Sequence, residues 1–261
     1  MGALGYMVLR PVCVVIPARY SSTRFPGKSL VKIHGVCLLE RTYQCVMHCQ
    51  LINHCVIATD DERIAKAARS FGADVVMTSV NCASGTDRIA EAVRSRDDLA
   101  QAEIIVNVQG DEPCIDPHTI AKVVEILRKS PEDSIGTAVA PIRSVEELDN
   151  INITKCVKTA TGRALYFSRH AIPGSKNGIC MNAIPYYRHV GVYAYRPDFL
   201  LRFAALPPTP LQLAEDLEML RAMEHGFTIA VAEVQHHSPD VNVPSDIQEV
   251  EQWIRSQSFY S

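Results

Sequence analysis

Two short runs, Val12 to Ile16 (VCVVI) and Ile104 to Val108 (IIVNV), restrict the fold of this chain more than any other feature. A strand with one wet face alternates apolar and polar residues, whereas an almost unbroken β-branched run is buried on both faces, as in a parallel sheet. Between and after these runs the pattern changes to helical spacing. Leu38 to Gln50, Glu62 to Phe71, Asp87 to Arg96 and Pro117 to Lys129 read as helices, with strands at Cys55 to Ala58 and Asp74 to Met77. Gly72 ends the second helix, and Ala83-Ser84-Gly85-Thr86 is the turn before the third. Strand and helix in alternation predict an α/β fold, a mostly parallel twisted sheet with helices on both faces.

From about Ser134 the pattern becomes strand-rich, with Ile135 to Pro141, Lys155 to Thr159, Ala164 to Phe167 and Val190 to Tyr195 and a polar connector at Gly174 to Asn182. This predicts a smaller β-rich extension around 134–205 that completes a pocket. A helix over Leu211 to His225 follows a rigid Pro207-Pro208-Thr209-Pro210 turn and stops at Gly226. Strand Thr228 to Val234 and helix Ser245 to Ser256 close the chain, which reads as one domain over 1–261.

Chemistry concentrates where strands end. Pro17 to Lys28 (PARYSSTRFPGK) carries Arg19, Arg24 and Lys28, and Pro17, Pro26 and Gly27 keep it irregular. Ligands of open α/β sheets bind beyond the carboxyl ends of strands, and cations plus free N–H groups there suit a polyphosphate. The GKS at 27–29 is not a Walker A loop, because Ser22 stands where that pattern needs glycine, and no GxGxxG fingerprint is present. From the charges alone, a solvated basic loop also fits. Asp111, in QGDEP just past the second run, suits a hard divalent cation such as Mg²⁺, which needs only one or two protein carboxylates. It equally suits a turn or cap before Pro113. Ser84, Gly85 and Thr86 with Arg88 offer groups to a base edge, although an N-cap by Thr86 accounts for them as well. Arg169 and the segment from Arg188 place cations at strand ends, where a guanidinium fork grips a carboxylate.

A net charge of −3 excludes a broad nucleic-acid or anionic-membrane surface, and no run approaches the length of a membrane span. The start, MGALGYMVLRPV, lacks a signal-peptide pattern. Nine cysteines without a CxxC pair read as reduced thiols of a cytoplasmic protein. Cys45, His48 and Cys49 share a helical face, where core packing is a better account than zinc.

In order, PARYSSTRFPGK, ATDDERI, ASGTDR, VNVQGDEP, ALYFSR, RHVGVYAY and AEDLEMLR resemble the 3-deoxy-manno-octulosonate cytidylyltransferases, the CMP-Kdo synthetases, over roughly residues 12–256. The resemblance implies a Rossmann-like nucleotidyltransferase, usually a homodimer, that joins CTP and Kdo into CMP-Kdo and pyrophosphate with Mg²⁺, for lipopolysaccharide synthesis. It implies a triphosphate loop of Arg19, Ser22, Arg24 and Lys28, and a cytidine pocket of Ser84, Gly85, Thr86 and Arg88. Gln109 and Asp111 would contact base and metal, with Arg19, Lys28 and Asp111 closest to the chemistry. Arg169, His189, Glu215 and Met219 would face the sugar acid. The reaction implied is in-line attack by the anomeric hydroxyl of Kdo on the α-phosphorus of CTP. Two positions depart from the family. Asn242 stands where VDTPED has its metal-binding Asp, which predicts looser Mg²⁺ binding, although Asp240 lies close by in sequence. Met219 replaces the polar residue of LEQLR. These leave two other readings open: a cytidylyltransferase for a different acidic sugar, and a nucleotide-binding relative without turnover.

Overall fold

The computed structural model describes residues 10–257 except 23, 175, 177, 179, 180, 182 and 183. The first nine residues, Cys180 and part of the 174–182 connector therefore lie outside the described residues. In chain order, β1 (Val12–Ala18) leads through a 3₁₀ turn (Lys28–Leu30) and a small hairpin, β2 (Lys32–Ile33) and β3 (Val36–Cys37), to α1 (Leu38–Met47). Then come β4 (His54–Thr59), α2 (Glu62–Ser70), β5 (Asp74–Met77), α3 (Gly85–Ser95), α4 (Asp97–Ala100), β6 (Ile104–Val108) and α5 (Pro117–Lys129). The second half contains β7 (Ile135–Pro141), α6 (Val145–Asp149), β8 (Lys155–Lys158), β9 (Ala164–Ser168), β10 (Tyr187–Tyr195) and α7 (Pro197–Ala204). Last are α8 (Pro210–Glu215), α9 (Glu218–Glu224), β11 (Ile229–Glu233) and α10 (Asp246–Ser256).

The expected α/β sheet is present. Among the described residues, nine strands form one sheet whose main path runs β11-β7-β10-β6-β1-β4-β5, with β8 and β9 branching from β10. β5, β4, β1 and β6 are mutually parallel, as are β7 and β11, and β10 runs antiparallel between β6 and β7. The double burial inferred from VCVVI holds: all seven β1 residues are buried. Val12, Val14 and Ile16 pack with Leu39 and Val46 of α1, Ile64 of α2 and Val123 of α5. Cys13 and Val15 point the other way, to Ile89 and Val93 of α3 and Phe203 of α7. Each such apolar side chain contributes about 1.5–3 kcal/mol on burial.

Three sequence expectations are corrected. Pro17 does not end the first strand, which continues through Pro17↔Ala58 and Ala18↔Thr59 against β4. On the other side β6 has already left the ladder at Val15↔Asn107, so no sheet partner misses the absent N–H. The helix expected over 211–225 is two helices, broken where Asp216 adopts φ 53°. The strands at the two ends of the 134–205 segment are integral to the central sheet, and β10 begins at Tyr187, so Arg188 and His189 lie within it.

β1 is followed on one side by β4 and on the other by β6, so the order of strands reverses there. In such sheets the crevice at the reversal is the natural ligand site. The loops after β1 and β6 flank it. Buried Val241, packed with Ile33, Leu38, Cys114 and Val250 of α10, brings the C-terminal loop to the same end.

Candidate active site

A cleft of about 370 Å³ opens at this reversal. Its walls include Arg19, Ser22, Arg24 and Lys28 from the loop after β1, Ser84, Gly85 and Arg88 from the start of α3, and Gln109 and Asp111 from the loop after β6. Lys28 Nζ donates to Asp111 Oδ2 at 2.5 Å and to the Val241 carbonyl at 3.0 Å, so the first loop and the acidic loop are joined. Gly27 allows this by adopting φ +71°, a conformation that strains any residue with a Cβ. Gly110 is needed for space: a Cβ there would sit 3.1 Å from the Pro17 carbonyl oxygen. The loop after β6 thus runs so close to the end of β1 that a larger residue would force one of them to shift.

The base-side wall has its own supports. Ser84 caps α3 by accepting from the Asp87 N–H, and Asp87 returns the bond to the Ser84 N–H, so Ser84 rather than Thr86 is the cap. The Thr86 hydroxyl is buried and donates to Glu218 Oε2 at 2.6 Å. Arg88 is only 3% exposed, and its guanidinium donates to Thr78 Oγ1 at 2.5 Å and Asp60 Oδ2 at 3.0 Å. Gln109 Nε2 donates to Asn107 Oδ1 at 3.0 Å, which holds its amide beside Gly85, with Oε1 3.6 Å from where a Gly85 Cβ would be.

Asn242 accepts from Arg24 Nη2 at 3.0 Å and donates to Asp240 Oδ2 at 2.5 Å, while the Val241 N–H donates to the Asp111 carbonyl at 3.0 Å. The 240–242 stretch therefore lies against both Arg24 and Asp111. Burial, then Asp240 and Asp111, push the Glu112 carboxyl well above its usual range. Burial and the Asp111 charge raise Asp240. This crowding of negative charge favours a cation. Glu112, whose Oε2 is buried without a hydrogen-bond partner, escaped sequence reasoning although it sits inside QGDEP.

The residues expected to face a sugar acid lie outside the cleft walls named above. Glu215 accepts from Ser168 Oγ at 2.7 Å and the Arg169 N–H at 2.9 Å, and Arg169 Nε donates to the Glu215 carbonyl at 2.7 Å. His189, with burial lowering its pKa to about 3, shares a 2.9 Å hydrogen bond with Thr137 Oγ1 and lies between the rings of Phe167 and Tyr193. Met219 is buried, with its sulfur 4.0 Å from the Tyr193 hydroxyl. Asp60, in the ATDDERI segment, carries no expectation from the sequence, yet it holds Arg88.

Residues 13–230 match the family described as Cytidylyltransferase. The 3-deoxy-manno-octulosonate cytidylyltransferase of Protochlamydia amoebophila is 47% identical over 246 residues, spanning 94% of this chain and 95% of that protein. The Zea mays protein of the same name is 42% identical over 245 residues, spanning 94% of this chain and 81% of its own length. A solved CMP:2-keto-3-deoxy-manno-octonic acid synthetase complexed with CTP superposes with a TM-score of 0.87 at 34% identity, covering 94% of this chain and 99% of that one. With the loop cations, the QGDEP carboxylate and the sheet reversal assembled in one cleft, and with likeness of this depth running along nearly the whole length, the chain belongs to the 3-deoxy-manno-octulosonate cytidylyltransferase family of nucleotidyltransferases.

Proposed function

We propose that this chain couples CTP to 3-deoxy-D-manno-octulosonate (Kdo), forming CMP-Kdo and releasing pyrophosphate, and so activates Kdo for lipopolysaccharide synthesis. The observation that carries the reading is the cleft in which Arg19, Arg24 and Lys28 meet Asp111 beside the Ser84–Gly85 turn. Arg19, Arg24 and Lys28 hold the triphosphate and neutralise the leaving pyrophosphate. Ser84, Gly85, Arg88 and Gln109 hold the base. Transfer of this kind depends on alignment and charge stabilisation more than on covalent help from the protein. Arg169 and Glu215, tied together, form one side of the sugar acid's place, with His189 as a neutral hydrogen-bonding ring and Met219 beside Tyr193.

The donor set suits Mg²⁺ as the cofactor. Asp111 and Asp240 are carboxylates on adjoining loops, and the Asn242 amide oxygen, which accepts from Arg24, is a third oxygen beside them. That matches a cation held by one or two carboxylates, with substrate phosphates completing its shell. When bound, Mg²⁺ supplies charge that lowers the pKa of the attacking hydroxyl and stabilises the phosphorus centre. In this reading Asp111 and Asn242 would hold it.

The chain works as one domain, with the 134–205 segment on the sugar side. A second copy of the chain is proposed as its partner, because Leu165 of β9 and Leu211 and Leu213 of α8 are exposed apolar residues on two elements joined by the Ser168–Glu215 hydrogen bond. The reduced-thiol pattern supports a cytoplasmic setting, and among the described residues no helix is long and apolar enough to cross a membrane. The deciding assay supplies CTP, Mg²⁺ and a panel of sugar acids and follows pyrophosphate release. Turnover with Kdo is expected. Turnover with sialic acid but not Kdo overturns the sugar, and CTP binding without pyrophosphate release at millimolar Mg²⁺ or Mn²⁺ overturns the activity.

A further inference from the structure

The ATDDERI segment ends β4 and opens α2, yet Asp60, Asp61 and Arg63 are absent from the walls of the cleft. Their contacts run to both sides of it. Asp60 Oδ2 accepts from Arg88 Nη2 at 3.0 Å, and the other arm of that guanidinium reaches Thr78, whose N–H is bonded to the Thr59 carbonyl at 2.8 Å. Arg88 is thus fixed to the ends of β4 and β5. Asp61 caps α2 and takes the Arg63 side chain in a fork, Nε to Oδ1 at 3.0 Å and Nη2 to Oδ2 at 2.6 Å.

The oriented Arg63 guanidinium lies 3.3 Å from the centroid of the Tyr20 ring. Tyr20 is the fulcrum of the loop after β1. Its carbonyl accepts from the Ser22 and Gly27 N–H groups, both at 2.9 Å, and its ring is the nearest side chain to Gly27, 3.1 Å from where a Cβ would be. Lys28 follows directly. A cation over an aromatic ring is attracted to its face even where it stays in water, and a planar fork pinned by a carboxylate cannot leave the ring without breaking two charged bonds.

We infer that the Asp60-Asp61 turn is a positioning hub with two separate arms: Asp60 sets Arg88 on the base side, and Asp61 through Arg63 and Tyr20 sets the phosphate-binding loop. The arms share a backbone turn, and among the described residues no side-chain hydrogen bond or ion pair joins them, so they act on different parts of one nucleotide. This rests on the reading that the cleft takes CTP.

The test measures equilibrium binding of CTP, cytidine and inorganic triphosphate by calorimetry, with thermal melts as a control. Arg63→Gln is the main variant because the Arg63 side chain is 60% exposed and its loss does not open the core. It is expected to weaken CTP and inorganic triphosphate about twofold to fivefold, the size of a lost exposed cation–π contact, and to leave cytidine unchanged. Arg63→Lys, which keeps the charge without the fork, recovers part of the loss. Asp60→Asn is expected to weaken CTP and cytidine together and leave inorganic triphosphate nearly unchanged. Equal losses for all three ligands in Arg63→Gln, or no loss for any, overturn the inference even if Asp60→Asn does not fold. Wild-type protein that binds inorganic triphosphate but not CTP overturns the nucleotide reading instead, and the Arg63 arm is then judged on triphosphate alone.

Discussion

Removing the Lys28 ammonium by Lys28→Ala separates a chemical role from a structural one, because the two losses differ in size. The side chain is 16% exposed, and Nζ bridges Asp111 Oδ2 at 2.5 Å and the Val241 carbonyl at 3.0 Å. An exposed ion pair contributes under about 1 kcal/mol, and breaking a fully buried one costs about 3–5 kcal/mol. With Asp111 24% exposed and able to regain water, the stability loss falls between these, at about 1–2 kcal/mol. That leaves nearly all molecules folded if total stability is in the usual range of about 5–15 kcal/mol. The loss in rate is larger, since a preorganised charge at a phosphoryl-type transition state is worth about 10²-fold or more, near 2.7 kcal/mol. Steady-state pyrophosphate release gives kcat/KM, and urea unfolding gives the stability. Lys28→Arg is expected to fall between wild type and alanine, because its wider fork does not match a site set for a point charge. A Lys28→Ala enzyme within about threefold of wild type in kcat/KM would refute the placement of this loop at the chemistry.

Asn242→Asp, which puts a carboxylate beside Arg24 and Asp240, is expected to lower the Mg²⁺ concentration giving half-maximal activity several-fold; an unchanged or higher value in a Mg²⁺ titration counts against a metal-facing role. Gly27→Ala forces a Cβ into φ +71° and to 3.1 Å from the Tyr20 ring, so a loss of about 1–2 kcal/mol in urea unfolding is expected, and a neutral result argues against the strained loop. Burial lowers His189 to about 3, and burial with Arg188 and His189 lowers His237 to about 3. Both rings fold neutral, so their contribution is complete above the unfolded value near 6.5 and declines as pH falls toward 3. Each ring removes about 1.4 kcal/mol per pH unit, or about 2 kcal/mol at pH 5. Urea midpoints at pH 7 and pH 5 check this, and His189→Asn should halve the difference; equal midpoints in the wild type contradict neutral burial.

Arg19 and Asp111 were legible because each sits within three residues of a strand end, and strand ends announce themselves through apolar runs. Arg19 and Asp111 follow VCVVI and IIVNV so closely that parallel pairing of β1 and β6 brings them to one cleft, while Lys28 reaches Asp111 through the turn at Gly27. Pro17 misled for the same local reason: its missing N–H reads as a break until the register shows that β6 has withdrawn at that point. The break at Asp216 had no local mark, since Leu211 to Glu224 holds no glycine or proline. The contacts at the break come from 46–47 residues away, where Ser168 and the Arg169 N–H bind the Glu215 carboxylate and the Arg169 guanidinium takes the Glu215 and Asp216 carbonyls. Glu218 reaches Thr86 across 132 positions, and Asp60 reaches Arg88 across 28. Ligand-facing groups are thus encoded beside the strands that carry them, while the groups that orient them are encoded wherever the fold happens to bring a partner. A charge read from sequence identifies a binding surface; how firmly that charge is aimed depends on contacts that only three-dimensional packing creates.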